Sequence, residues 1–231
     1  MSSWANFASA WSLGRPVARS SVGQLRKNWV SQGRNRLRRG VDISVALLLL
    51  PALCLFFVLL WLFNPWANPG PVLFRQQRIG KSGRPFVLYK FRSMTGHSTG
   101  VACAQEEHQR IPRLGWCLRR THLDELPQIF NLLNGTMTLV GPRPEQPEFV
   151  AVYRSSVPGF DHRHGVLPGI TGLAQLRLGY TCDTEGARKK LRWDLFYIAH
   201  SCMAFDLYLI WKTVVLLCCG RQGSPRFVRG P

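Results

Sequence analysis

Residues 43–63 read ISVALLLLPALCLFFVLLWLF, an apolar run without a charged side chain. About 20 such residues suffice for a helix to cross the hydrocarbon core of a bilayer. A soluble core helix normally keeps a polar stripe, and this run has none. It is therefore expected to be a membrane helix. Basic residues crowd both flanks, with Arg34, Arg36, Arg38 and Arg39 before it and Arg75, Arg78, Lys81, Arg84, Lys90 and Arg92 after it. A spanning helix normally has one clearly basic side. Pro51 sits well inside the run, where it removes a helical hydrogen bond and crowds the preceding turn. Together these features predict a re-entrant helix-break-helix over 41–66 that enters and leaves on one side. A kinked helix that spans fully is the alternative, because prolines are tolerated in spanning helices.

Working outward, residues 1–40 form a basic arm rich in Ser, Asn and Gly, and 221–231 form a basic tail. The arm lacks the order of a secretory signal, since no small-residue cleavage site follows the apolar stretch, and it is expected to be uncleaved and mobile in isolation. The 231-residue chain carries a formal net charge of +18 and a pI near 10.7, with Asp42 the sole acid before Glu106. Such a balance attracts polyanions, whether nucleic acid, anionic lipid or phosphorylated substrates. No helix-turn-helix, zinc-ligand spacing or aromatic RNA platform accompanies the charge, so nucleic acid is not an expected partner. Basic residues that bracket an apolar segment suit anionic membrane lipid, at about 1 kcal/mol for each one near the surface. The seven cysteines show no CxxC pair and are expected to be reduced thiols, buried or interfacial.

Between the membrane segment and the tail, residues 67–220 are expected to form one catalytic domain. After the turn-rich NPWANPGP, the stretches VLFRQQRI and PFVLYKFRSM flank GKSG and predict a β-hairpin. A polar loop is expected over 95–110, a helix over 126–133, an ordered loop through VGPRPEQPE, and mixed helix and loop over 145–165. From Arg188 to Cys219 apolar clusters alternate with Asp194, His200, Asp206 and Lys212. That pattern suits interfacial amphipathic helices, because Asp206 or Lys212 would cost about 3 kcal/mol near the bilayer centre. The expected fold class is α/β: a compact, mainly helical catalytic domain with a small β-hairpin, held at the membrane by the re-entrant helix and by interfacial helices.

Chemistry concentrates in LRRTHLDELPQIFNLLNGTMTLVGPRPE, residues 118–145. Asp124 and Glu125 are adjacent acids in a chain that has few, placed after Arg119 and Arg120. Pro127 fits only the first turn of a helix, which makes Asp124 a candidate N-cap with Glu125 behind it. The other reading is catalytic. A helix start among arginines suits phosphate, and a carboxylate there can attack phosphorus to form an acyl phosphate. Two carboxylates would repel a diphosphate unless a divalent cation screened them, and Mg²⁺ on Asp124 and Glu125 is the expected ion. In GPRP, Pro142 and Pro144 restrict the backbone around Arg143 and preset the direction of a guanidinium suited to bidentate phosphate recognition.

KFRSM at 90–94, LDELPQ at 123–128, LVGPRPE at 139–145 and PGITGLAQ at 168–175 follow the order and approximate spacing of one family. Through these motifs the chain resembles the bacterial sugar transferases, the monotopic phosphoglycosyl transferases, over roughly residues 37–213. The resemblance implies that Asp124 attacks the β-phosphorus of a UDP-sugar, with Glu125 as the neighbouring acid. UMP leaves, and polyprenyl phosphate then takes the phospho-sugar from the enzyme in a ping-pong sequence. Arg119 and Arg143 are then expected near phosphate or nucleotide, together with Lys90 and Arg92 of the KFRSM motif, while Pro51 corresponds to the proline that breaks the family's re-entrant helix. The implied location is the cytoplasmic face of a bacterial inner membrane, and the implied pathway is polysaccharide or glycoconjugate synthesis. The resemblance leaves room for a homodimer and for a catalytically inactive membrane scaffold of the same fold. Two departures stand out: His122 where the family has Ser or Thr, and Pro112 where it has Thr.

Overall fold

The computed structural model describes residues 32–96, 110–178 and 183–219, and the arm before Gln32 and the tail after Cys219 lie outside this range. It is mainly helical, with two small two-stranded sheets. Helix α1, Gln32–Ala67, contains the apolar run and is long and apolar enough to cross a membrane. At 36 residues it would extend about 54 Å if straight. The helix continues through Pro51, so the proline does not end it; the neighbouring backbone bonds carry the helix past the one missing N–H. It also begins earlier than expected, taking in the end of the basic arm.

One narrow face of α1 packs on the rest of the chain. Ala46, Leu53 and Leu60 are buried at intervals of seven residues, two helical turns each, whereas Leu48, Leu55, Val58, Trp61 and Phe63 are exposed. Both ends of the helix are fastened by polar contacts. Near the start, Asp42 Oδ1 accepts from the Leu139 amide at 2.8 Å and from Thr138 Oγ1 at 3.1 Å. Arg38 pairs with Asp206 at 2.6 Å, and Arg39 donates to the carbonyls of Leu132 and Leu133. Those carbonyls end helix α3, Ile129–Leu133, where acceptors lack intrahelical partners and a cation is favoured. At the far end, Asn68 Nδ2 donates to the Arg92 carbonyl at 3.0 Å. The arginines closest to the membrane segment therefore have structural partners, which is why the helix extends into the arm.

The predicted hairpin is present. Strands β1, Leu73–Ile79, and β2, Pro85–Phe91, pair antiparallel from Leu73↔Phe91 to Ile79↔Pro85. Helix α2, Arg113–Arg120, follows, and Gly115 lets it approach the segment just after β2: a Cβ there would lie 2.0 Å from the Ser93 carbonyl oxygen. Most of the loop expected over 95–110 lies outside the described residues.

A second sheet was not foreseen. Strand β3, Thr138–Val140, pairs in parallel with β4, Gly169–Thr171, so the LVGPRPE and PGITGLAQ motifs meet. Three residues are too few to show an alternating pattern. What the sequence carried instead was glycine. A Cβ on Gly169 would sit 2.0 Å from the Gly141 nitrogen, and one on Gly172 would sit 2.2 Å from the Gly141 oxygen. The two backbones approach so closely that no side chain fits between them.

Helices α4, Pro147–Ser156, and α5, Leu173–Leu178, lead to the long α6, Thr184–His200, and α7, Met203–Cys218. Asp183 caps α6 by accepting from the Gly186 amide at 3.2 Å. Leu191, Leu195 and Ile198 of α6 join Val150, Tyr153 and Phe160 in one core cluster. Helix α7 buries Asp206 and Leu209 but exposes Leu207, Tyr208, Trp211, Val214 and Leu217 along one side. Cys54, Cys117, Cys202, Cys218 and Cys219 are free and exposed, so those five occupy surface positions.

Asp42 is 4% exposed and fastens α1 to β3 through two hydrogen bonds. Asp42→Ala should leave the Leu139 amide and Thr138 hydroxyl unsatisfied and lower unfolding stability in detergent by about 2 kcal/mol. Thr138→Val should lose about half as much, as thermal melts of the two variants would show.

Candidate active site

The two acids lie in a 3-10 segment, Leu123–Gln128, and not at a helix cap as expected. Pro127 has no N–H for an α-helical bond, and the chain tightens to three-residue turns, with the Glu125 amide donating to the His122 carbonyl at 3.1 Å. The residue before the segment is His122, at φ 55°, a left-handed conformation in which His is less disfavoured than most side chains. That is a local role for the departure at this position. Asp124 makes no capping bond here. Instead, both carboxylates turn into the domain: Asp124 is 7% exposed, and the Glu125 side chain 13%.

Glu125 is held by two cations from distant segments. Lys90, on β2, places Nζ 3.0 Å from Oε1. Arg143, in the loop after β3, reaches both carboxylate oxygens, donating to Oε1 through Nη2 and to Oε2 through Nη1 at 3.3 Å. Burial works to raise the Glu125 carboxyl, but the charges of Arg143 and Lys90 and their hydrogen bonds outweigh it and hold the group well below the ordinary carboxylate range. Glu125 is thus ionised and saturated. Asp124 differs. Burial raises its pKa, the neighbouring Glu125 charge raises it further, and Lys90, Arg119 and His122 oppose the rise. Its carboxylate makes no hydrogen bond among the described residues, which leaves its oxygens available to an incoming group.

Arg143 is aimed from behind. Pro142 and Pro144 flank it, the Pro142 carbonyl accepts from the Gly169 amide at 3.0 Å, and the Pro144 carbonyl accepts from Arg78 at 3.1 Å. Arg163 donates to the Arg143 carbonyl at 2.8 Å and to Asp194 at 2.8 Å. Glu145, next in the motif, pairs with Lys190 at 2.7 Å and lies 3.8 Å from Arg163. Sequence reasoning missed this buried network. Arg163 sits in DHRHG, a segment that reads as surface, yet it is 2% exposed; the only signal was that Asp194 interrupts an apolar helix face and needs a partner if buried.

Of the residues expected at the site, Asp124, Glu125, Lys90, Arg143, Pro142 and Pro144 are brought together. Arg119 lies in the last turn of α2 and acts on Asp124 through its charge. Arg92 lies just beyond β2 and donates to the Asn68 carbonyl, so it faces the exit of α1. Pro51 lies in mid-helix, apart from this cluster. The fit of a divalent cation turns on the unshared oxygens of Asp124, since both oxygens of Glu125 already accept from Arg143. One carboxylate with substrate phosphates meets the usual needs of Mg²⁺.

Residues 33–220 match the family model described as bacterial sugar transferase. The chain is 39% identical over 180 residues to a UDP-N-acetylgalactosamine-undecaprenyl-phosphate N-acetylgalactosaminephosphotransferase of Aeromonas hydrophila, covering 77% of this chain and 43% of the relative. It is 41% identical over 191 residues to the UDP-glucose:undecaprenyl-phosphate glucose-1-phosphate transferase of Escherichia coli K12, covering 79% of this chain and 40% of the relative. The exopolysaccharide production protein PSS of Rhizobium leguminosarum bv. phaseoli is 40% identical over 187 residues, which cover 78% of this chain and 94% of that protein. The chain thus spans about two fifths of the first two relatives and nearly all of the third.

The pairing of Glu145 has a measurable signature. Burial alone would raise its carboxyl, but Lys190 and Arg163 bring the pKa down from 4.5 to about 2. A depressed carboxyl contributes stability that is complete above its unfolded value and is lost as the pH falls toward the folded one. Glu145 should therefore contribute about 3 kcal/mol near neutrality, fading below about pH 4.5. Denaturant unfolding between about pH 6 and pH 3 should show a shallower loss for Glu145→Gln than for the unmodified protein.

Proposed function

We propose that this chain, which belongs to the bacterial sugar transferase family, moves a sugar 1-phosphate from a UDP-sugar to polyprenyl phosphate through a covalent intermediate on Asp124. The observation that carries this reading is the asymmetry of the acid pair. Glu125 is ionised and saturated by Arg143 and Lys90, while Asp124 is buried beside it without a hydrogen-bond partner among the described residues. A carboxylate with unengaged oxygens in a partly desolvated, cation-rich site is a competent nucleophile toward phosphorus.

In the first half-reaction an Asp124 oxygen attacks the β-phosphorus. The bond from that phosphorus to the bridging oxygen breaks, and UMP leaves with the bridging oxygen. In the second, a phosphate oxygen of polyprenyl phosphate attacks the same phosphorus, the acyl phosphate bond breaks, and the carboxylate of Asp124 is regenerated. Lys90, Arg119 and Arg143 set three positive charges against two carboxylates, so the cluster favours a diphosphate. Arg143, with its carbonyl fixed by Arg163 and its flanking prolines held by Gly169 of β4 and Arg78 of β1, is pre-aimed and needs little reorganisation as charge shifts between oxygens. When bound, Mg²⁺ held by Asp124 and phosphate oxygens would neutralise charge on the diphosphate. The relatives named for UDP-sugar and undecaprenyl phosphate chemistry support both substrates, and the exopolysaccharide relative supports a role in polysaccharide synthesis.

The same reading places the protein at the cytoplasmic face of the inner membrane, where UDP-sugars are supplied. Both ends of α1 bond to one domain, through Arg39 and Asp42 at one end and Asn68 at the other. That supports a re-entrant course, which for a helix continuous through Pro51 requires a bend there, so that the apolar middle dips into one leaflet and returns. Helix α7 is suited to lie in the interface, with Lys212 5.7 Å from the Tyr208 ring centroid and 5.0 Å from that of Trp211.

Asp124→Asn should lower UMP release from UDP-sugar by about three orders of magnitude or more. In the unmodified protein, incubation with UDP-sugar and Mg²⁺ alone should add a phospho-sugar mass to the peptide that contains Asp124; the adduct on any other residue would contradict the scheme. Reporter groups at positions 36 and 81 should label from the same side of sealed vesicles, and opposite-side labelling would exclude the re-entrant course.

A further inference from the structure

An open groove of about 380 Å³ lies where α1 leaves toward the hairpin, lined by Trp61, Asn64, Pro65, Pro69, Gly70 and Val72. That size falls within the range of ligand pockets. Its walls are mostly carbon, with Trp61 66% exposed. Asn64, the one side chain in the lining that carries an amide, turns its nitrogen to the Gly70 carbonyl at 2.5 Å. The prolines on either side limit how far the groove can collapse.

The groove leads to a cation. Gly70 has φ 130°, and a Cβ there would lie 2.1 Å from Nη1 of Arg92, so the Arg92 guanidinium rests against the Gly70 backbone. Arg92 is also fixed through its amide, which donates to the Val72 carbonyl at 2.9 Å and prolongs the hairpin ladder. In such an extended segment residues two apart leave on the same face, about 7 Å from one another. Lys90 is that neighbour, and it bonds Glu125. The guanidinium that rests against the groove at Gly70 and the ammonium that bonds Glu125 are thus two residues apart on one extended segment.

We propose that this groove receives the isoprene units nearest the phosphate of the polyprenyl phosphate acceptor, with Arg92 guiding that phosphate toward Lys90 and Asp124. The assignment rests on the two-step reaction proposed above. It fits a lipid whose head is a compact anion attached directly to a hydrocarbon chain: carbon lines the groove, and positive charge marks the end closer to the acids. The groove opens beside the apolar helix, so the rest of a long chain can remain in the bilayer.

Two experiments decide this. Exchange of labelled UMP into UDP-sugar reads the first half-reaction without acceptor, and steady-state transfer reads the second. Trp61→Ala should raise the KM for polyprenyl phosphate about tenfold with the exchange rate unchanged, and Trp61→Phe should restore most of it. An unchanged acceptor KM beside normal exchange overturns the groove assignment alone; failure of the unmodified protein to catalyse exchange overturns the reaction scheme and this assignment with it. Independently of any variant, a polyprenyl phosphate carrying a diazirine in the isoprene unit next to phosphate should label the peptide containing residues 61–72. Labelling confined to other helices, or equal labelling by a diazirine phospholipid that polyprenyl phosphate does not displace, overturns the proposal.

Discussion

Glu125 is the point at which three separate parts of the chain are tied. Lys90 comes from the hairpin, Arg143 from the loop after β3, and the acid itself from the 3-10 segment between them. A buried carboxylate with two cations is stable only as a complete set, because removing one partner leaves an uncompensated charge in a poorly solvated place. The arrangement also separates the roles of two adjacent acids. One balances the cations and keeps them in place, and its neighbour keeps oxygens that accept no hydrogen bond among the described residues.

Behind that cluster stands a second buried set, Arg163, Glu145, Asp194 and Lys190, which joins the Arg143 loop to helix α6. The site is thus supported by charge pairs in depth as well as by apolar packing. Arg163 illustrates the cost and the return. Burying a guanidinium is unfavourable by itself, yet this one engages Asp194, Glu145 and a main-chain carbonyl and so fixes the backbone from which Arg143 projects.

Much of this was legible in the sequence. The uninterrupted apolar run announced α1, the turn GKSG placed the hairpin, and the scarcity of acids drew attention to Asp124 and Glu125. Three features were not legible, each for a physical reason. The β3–β4 pairing uses strands of three residues, shorter than any periodicity can show. Pro127 suggested a helix start with Asp124 as its cap, but the chain takes a tighter turn, because Pro127 has no N–H for an α-helical bond and Glu125 is drawn to Lys90 and Arg143. The arginines before the membrane segment looked like a solvated arm, whereas Arg38 and Arg39 find a buried acid and the open carbonyls of α3 at long range in sequence.

The contact of Gly141 with Gly169 and Gly172 also bears on how such proteins can diversify. Because the two main chains touch without side chains between them, neither segment can drift in position while the other stays still. A chimera that takes the GPRP loop from one relative must take the PGITG segment from the same parent, or the guanidinium will be presented from a displaced platform. Recombination among these proteins is therefore expected to succeed at breakpoints outside residues 138–175, with that block inherited whole.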